Sequence, residues 1–299
     1  FFFFKQKTAY EIRNCDWSSD VCSSDLPNIN MPMAPDANAP ALHAVEMAQS
    51  LKVHASQAER DYIDALAARY SADPKAERPV LDRAFAEVTR KLAKHYPHDL
   101  DAQVLFSEAL MDTSPWDYWQ ADKQTPKQGI EDLVPTLERV LKAAPRHPGA
   151  IHLYIHAVEA SSTPARAEKY ANVLAGLLPG AGHLVHMPSH IYNRIGRYDD
   201  GVTWNQRAAR ADEAYFDATN DRGMYAAMYY VHNLHFVWTA ATNAGRAALA
   251  RDYAHKVLEN LDPTMLRNFP SAEIFVPTEL YAWLRFGDWD KVQIGRAHV

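Results

Sequence analysis

Cysteine is nearly missing from this sequence. The 299-residue chain holds two, Cys15 and Cys22, both close to its start. The rest therefore has no disulfide framework, no thiolate metal site and no Cys nucleophile. Glycine is also scarce, with 11 residues. No Gly-rich phosphate loop, G-x-S-x-G elbow or H-E-x-x-H pair occurs, so no motif names a reaction. Positive charge is not in excess. The formal net charge is −6 and no basic stripe with interleaved aromatics is present, which argues against nucleic acid as the main partner. No uncharged apolar run reaches the ~18 residues a membrane helix needs. The most apolar region, Met224 to Ala241, is broken by His232, Asn233 and His235. The strict alternation of a β-strand is not sustained anywhere.

The two ends do not read as protein. FFFFKQKTAYEI and DWSSDVCSSDL back-translate into adapter oligonucleotides of short-read sequencing, and the final IGRAHV resembles the start of an adapter on the other side. Residues 1–26 and 294–299 are accordingly set aside as adapter-derived, the first stretch expected to lack order. Residues 27–293 are expected to form a single helical-repeat domain, cut at both ends. Both cysteines fall in the first excluded stretch. The excluded stretches carry as many basic as acidic residues, so the charge balance is unchanged. The expected setting is soluble, in a bacterial cytoplasm or periplasm.

What is there is helix. After a loop over Pro27 to Asn38, the pattern predicts helices over about 39–54, 57–70, 79–95, 99–112, 129–144, 148–160, 164–178, 183–195, 199–212, 223–243, 246–261 and 271–286. Asn38 is expected to cap the first, and Ser56 with Glu59 forms a capping box for the second. Pro97, Pro145, Pro179 and Pro263 stand at helix ends, and Thr163-Pro164 at a helix start. A loop over Thr113 to Gln128 carries Trp116, Tyr118 and Trp119, expected to cover an edge of the core or to lid a groove.

Paired helices repeating at roughly 34 residues signal a solenoid. The stretch IYNRIGRYDDGVTWNQRAARAD resembles the tetratricopeptide repeat (TPR) family: Tyr192, Gly196, Tyr198, Gly201 and Ala208 stand where that repeat wants an aromatic, Gly, an aromatic, a small residue and Ala. Ala167 and Pro179 match in the preceding repeat, which departs from the pattern at Ser162 and Leu174. The resemblance covers 148–181, 182–215 and 231–264 best. It implies an all-α, right-handed solenoid of antiparallel helix hairpins, truncated at both ends.

The histidines are the conspicuous feature. Eight of the 14 lie between His147 and His235, in three clusters with three- or four-residue spacing, which places them on common helix faces. Counted from Pro148, Gly182 and Val231, the second position holds Gly149, His183 and His232. The fifth holds His152, His186 and His235, the ninth His156, His190 and Thr239, and the twelfth Glu159, Asn193 and Thr242. In the TPR resemblance these positions face the concave groove where ligands bind. Extending the phase back one helix adds Glu108 to the same wall.

Three readings follow. The first is a binding scaffold whose groove, lined by His152, His156, Glu159, His183, His186, His190, Asn193, His232, His235 and Glu108, captures a peptide segment or small ligand. The second is a metal-dependent enzyme, hydrolytic or oxygen-using, with His152, His156, His186, His190 and Glu159 as candidate metal ligands and Glu108 as candidate base. Imidazole at i, i+4 suits zinc or iron better than calcium. The third is a structural assembly module whose histidines are packed. Pro188, inside HLVHMPSHIY, removes an amide from its helix. It either kinks the helix, re-aiming His186 and His190, or starts it and leaves His183 and His186 in a loop. His43, His54, His95, His98 and His255 read as isolated surface or helix-end residues.

Overall fold

The computed structural model describes residues 29–30, 33, 37–73, 75–220, 223–261 and 263–294. Residues 1–26, most of the 27–38 loop and nearly all of the 294–299 tail lie outside them. Among the described residues the secondary structure is helix and turn, with one isolated bridge between Trp119 and Pro126. The chain divides into two compact units, residues 1–163 and 164–299. No helix is long and apolar enough to cross a membrane.

The first unit holds α1 (Asn38–Ser50), α2 (Gln57–Ala67), α3 (Arg78–His95), α4 (Leu100–Asp112), α5 (Leu133–Ala143) and α6 (Pro148–Glu159). Each packs on the next, and α4 also touches α6. Ser56 and Glu59 form the expected capping box. Asn38 does not cap α1. It is the first helical residue, and its amide donates to the Ser71 carbonyl instead, at 2.9 Å. His147 has a capping role that its place in a histidine cluster conceals. Its Nδ1 accepts from the Ala150 N–H at 3.2 Å, so its proton sits on Nε2, which donates to Asp101 at 3.1 Å. The core is aliphatic and aromatic: Phe85, Phe106, Leu110, Leu137, Leu141, Ile151 and Ile155 are buried.

A second, charged layer runs through the same unit. Arg69 donates to Asp112 at 2.5 Å and lies over the Phe85 ring. Arg78 bridges Asp82 and the Arg69 carbonyl. Burial pushes the Asp112 carboxyl upward against the pull of Arg69, and the neighbouring Glu108 pushes the same way. The aromatic loop closes over α6, as Trp119 donates from its indole to the Ala157 carbonyl at 2.8 Å and Tyr118 is buried.

The second unit holds α7 (Glu168–Leu174), α8 (Gly182–His186), α9 (Pro188–Arg194), α10 (Tyr198–Thr219), α11 (Val231–Asn243), α12 (Ala247–Glu259), α13 (Pro263–Asn268), α14 (Thr278–Phe286) and α15 (Trp289–Ile294). Three of its turns use one device. Gly196, Gly245 and Gly287 take positive φ, and the amide after each bonds back five residues, to the carbonyls of Tyr192, Ala241 and Trp283. This is the Schellman ending, in which Gly avoids the Cβ penalty of the left-handed conformation. Four expected helices of this unit are not uniform: the 183–195 helix divides at Pro188, and the 271–286 helix opens as a 3-10 segment, Pro270–Phe275, before α14. The 164–178 helix begins as a 3-10 turn, Pro164–Ala167, and α7 ends at Leu174. The 223–243 helix opens with a π-helical turn, Tyr225–Tyr230, before α11. In compensation α10 runs to Thr219, seven residues beyond the expected end.

Leu137 is fully buried and Val80 is half exposed. Leu137→Ala is expected to lower the unfolding free energy by about 2–5 kcal/mol in a urea titration, while Val80→Ala stays within about 0.5 kcal/mol.

Candidate metal centre

Pro188 settles the local geometry of the central cluster. The backbone stays helical through Met187, with φ −48° and ψ −40°, but the run divides into α8 and α9. Pro188 has no N–H to give Leu184. The result is a kink rather than a loop, with His183 and His186 before it and His190 after it. The imidazoles of His186 and His190 meet across it, their centroids 4.8 Å apart at 81° and their Nε2 atoms 2.9 Å apart.

The neighbouring helix decides which nitrogen of His186 carries the proton. Asn205, on α10, gives its amide NH2 to the Gly201 carbonyl at 2.6 Å, so its oxygen faces the imidazole. His186 Nδ1 lies 2.6 Å from that oxygen. An amide oxygen only accepts, so the proton sits on Nδ1 and the Nε2 of neutral His186 presents a lone pair. With both rings neutral, the Nε2–H of His190 is the donor between them.

His232, on α11, completes the cluster. Its ring lies 4.7 Å from that of His186 and 5.9 Å from that of His190. One nitrogen from each of the three lies within 4.8 Å of the others. Phe236, one helical turn on, touches all three rings at 4.5 to 4.8 Å. His186 and His190 are buried and His232 is half-buried. Three imidazole nitrogens so grouped could hold a transition-metal ion. Metal–nitrogen bonds of ~2.0–2.1 Å in a tetrahedral site put ligand atoms a little over 3 Å apart.

The other expected residues have separate surroundings. His183 stacks on His186 at 6.0 Å and meets Tyr229 edge-on at 5.1 Å. His235 packs with Trp238 and Phe275, and burial lowers its pKa to about 4. Asn193 lies against Gly201, where a Cβ would come within 3.1 Å of its side-chain oxygen. In the first unit, His152 and His156 pack ring to ring at 4.9 Å on α6. His156 Nδ1 faces Glu159 at 3.4 Å, and Trp116 sits edge-on against His156. Glu108 stands beside the Arg69–Asp112 pair. The five isolated histidines, His43, His54, His95, His98 and His255, are exposed as expected.

Sequence reasoning passed over the residues that support the cluster. Asp212 lies two turns after Asn205 on α10 and is 2% exposed. It accepts from the Tyr225 hydroxyl and from the Asn233 amide, each at 2.7 Å. Burial raises its pKa to about 7, with those two bonds pulling the other way. Gly182, which starts α8, lies so close that a Cβ there would sit 1.8 Å from the carboxylate. The signal was available. The buried stripe Val202, Asn205, Ala209, Asp212, Phe216 has helical spacing, and two polar residues stand in it where an amphipathic helix places apolar ones.

No protein-family model matches this chain, and no curated protein matches it.

Asp212 gives a pH dependence with a definite sign. Its folded pKa lies above the unfolded value near ~3.9. Its contribution is therefore full below about pH 4 and is lost as pH rises through about 7. His235 acts oppositely, losing stability as pH falls below ~6.5. Unfolding free energies measured from pH 5 to 8 for wild type and Asp212→Asn isolate the first term. The difference should move in favour of the variant as pH rises, by about 1–3 kcal/mol. An unchanged difference would refute the assignment. Gly182→Ala should destabilise the fold by at least ~1–3 kcal/mol, because the carboxylate must move.

Proposed function

We propose that this chain is a metal-binding helical-repeat protein, TPR-like in scaffold, whose second unit holds a transition-metal ion on His186, His190 and His232. The carrying observation is the hydrogen bond between His186 Nδ1 and Asn205 Oδ1, which turns the lone pair of Nε2 toward the other two rings. A metal-bound histidine characteristically gives its second N–H to an outer acceptor that fixes the tautomer and raises the basicity of the ligand atom. Asn205 is such an acceptor, itself held by Gly201. An all-imidazole set favours zinc, copper or iron over calcium or magnesium. Three protein ligands leave a fourth position for water or an exogenous donor, the arrangement of catalytic rather than structural sites.

Burial favours this reading over a groove that grips a peptide. His156, His186, His190 and Glu159 are all buried and have little surface to offer a long ligand. The scaffold part rests on the repeat positions. Tyr192 and Ala208 are buried, and Gly201 lies where a Cβ would come within 3.3 Å of Ala240.

The test is metal uptake by the purified full chain, prepared without chelator and measured by elemental analysis and equilibrium titration with zinc and copper. One equivalent is expected at this site, lost in His186→Ala and His232→Ala and retained in His255→Ala, an exposed histidine paired with glutamates. Asn205→Ala should weaken binding about 10–100-fold. Equal uptake by wild type and by both ligand variants would sink the assignment.

A further inference from the structure

The metal-centre reading leaves a row of aromatic rings unexplained, and the inference drawn from them rests on that reading. The row leads away from His186. The His183 ring is 6.0 Å from it, Tyr229 is 5.1 Å from His183, and Tyr225 is stacked on Tyr229 at 5.3 Å and 13°. Tyr215, half-buried, follows at 6.1 Å from Tyr225. Tyr225 and Tyr229 belong to the π-helical turn Tyr225–Tyr230, a rare feature that is frequent at functional sites.

Tyr225 is set apart by its partner. Its hydroxyl donates at 2.7 Å to Asp212, a carboxylate buried without a cationic partner among the described residues. Packing alone does not call for a carboxylate there, because burying one carries a large desolvation cost. Removing an electron from a phenol makes it a strong acid, so the oxidation proceeds readily only where a base already holds the proton. Asp212 is in place to take it along an existing hydrogen bond.

We propose that the ion at the three-histidine centre is redox-active, copper by class, and that Tyr225 donates one electron toward it along the ring row while Asp212 accepts the phenolic proton. The co-reactant is a peroxide. Hydrogen peroxide takes two electrons as its O–O bond breaks, one from copper(I) and one from Tyr225. Copper(I), the Tyr225 phenol, the Asp212 carboxylate, hydrogen peroxide and two solvent protons thus yield copper(II), the Tyr225 phenoxyl radical, protonated Asp212 and two waters. Zinc at the same ligands would leave the tyrosine row without use.

The experiment loads the full chain anaerobically with one equivalent of copper(I), mixes it with hydrogen peroxide, freezes it within milliseconds and records the electron paramagnetic resonance spectrum. A tyrosyl signal is expected beside that of copper(II). Tyr225→Phe should bind the same copper and lose the tyrosyl signal at least tenfold. Asp212→Asn should also bind copper and give a several-fold lower radical yield. Tyr281→Phe, at an exposed tyrosine, should change nothing, which separates the row from indiscriminate surface oxidation. Full copper binding with no tyrosyl signal, or with a signal undiminished in Tyr225→Phe, overturns the relay and leaves the metal centre standing. Failure of the wild type to bind copper, with zinc still bound, also overturns the relay. Failure to bind either metal overturns both.

Discussion

Two polar side chains on the buried face of α10, Asn205 and Asp212, hold the histidine cluster of the second unit in place. Asn205 fixes the proton of His186. Asp212 ties the Tyr225 hydroxyl and the Asn233 amide to the same helix and sits against the first residue of α8. Asn233 is the sequence neighbour of His232, and Gly182 begins the helix that carries His186. A buried polar group raises stability only when its partners are present. The arrangement therefore fixes orientation at some energetic cost, and the raised pKa of Asp212 records that cost.

The same chemistry appears differently in the first unit. There buried carboxylates stand beside guanidinium groups, Asp112 with buried Arg69 and Asp82 with half-buried Arg78. Such a pair offsets its own desolvation in part and leaves less reason to invoke a ligand. Asp212 instead has two neutral donors, the Tyr225 hydroxyl and the Asn233 amide, and no cationic partner among the described residues.

Much of the local structure was legible in the chain. The capping box at Ser56, the helix ends before Pro97 and Pro145 and the turn at Gly196 are decided within a few residues, by sterics and by the unpaired amides of a helix end. Pro263, by contrast, starts a helix, and the helix before Pro179 ends early, at Leu174. The histidine spacing was legible as well, but not its meaning. His147, counted with the others, caps a helix. His235, placed in the same phase as His186, packs among Trp238 and Phe275 instead. His232 was expected in the groove and not among the metal ligands, yet it is the third nitrogen of the cluster. Phase along one helix says which side chains share a face. It does not say how far the next helix has turned.

The sequence by itself determined the all-helical structure of the described residues, because apolar residues recur at helical spacing and breakers stand between the helices. It also pointed to histidine with carboxylate as the material of any metal site, since both cysteines lie near the start of the chain and no phosphate loop is present. Tertiary structure alone decided that Pro188 kinks its helix and brings His190 to His186, that Asn205 faces an imidazole, and that Asp212 lies beneath Tyr225. Those outcomes depend on distances between helices far apart in sequence. A change of an ångström there separates a hydrogen bond from a mere contact, and the periodicity of a chain does not encode that distance.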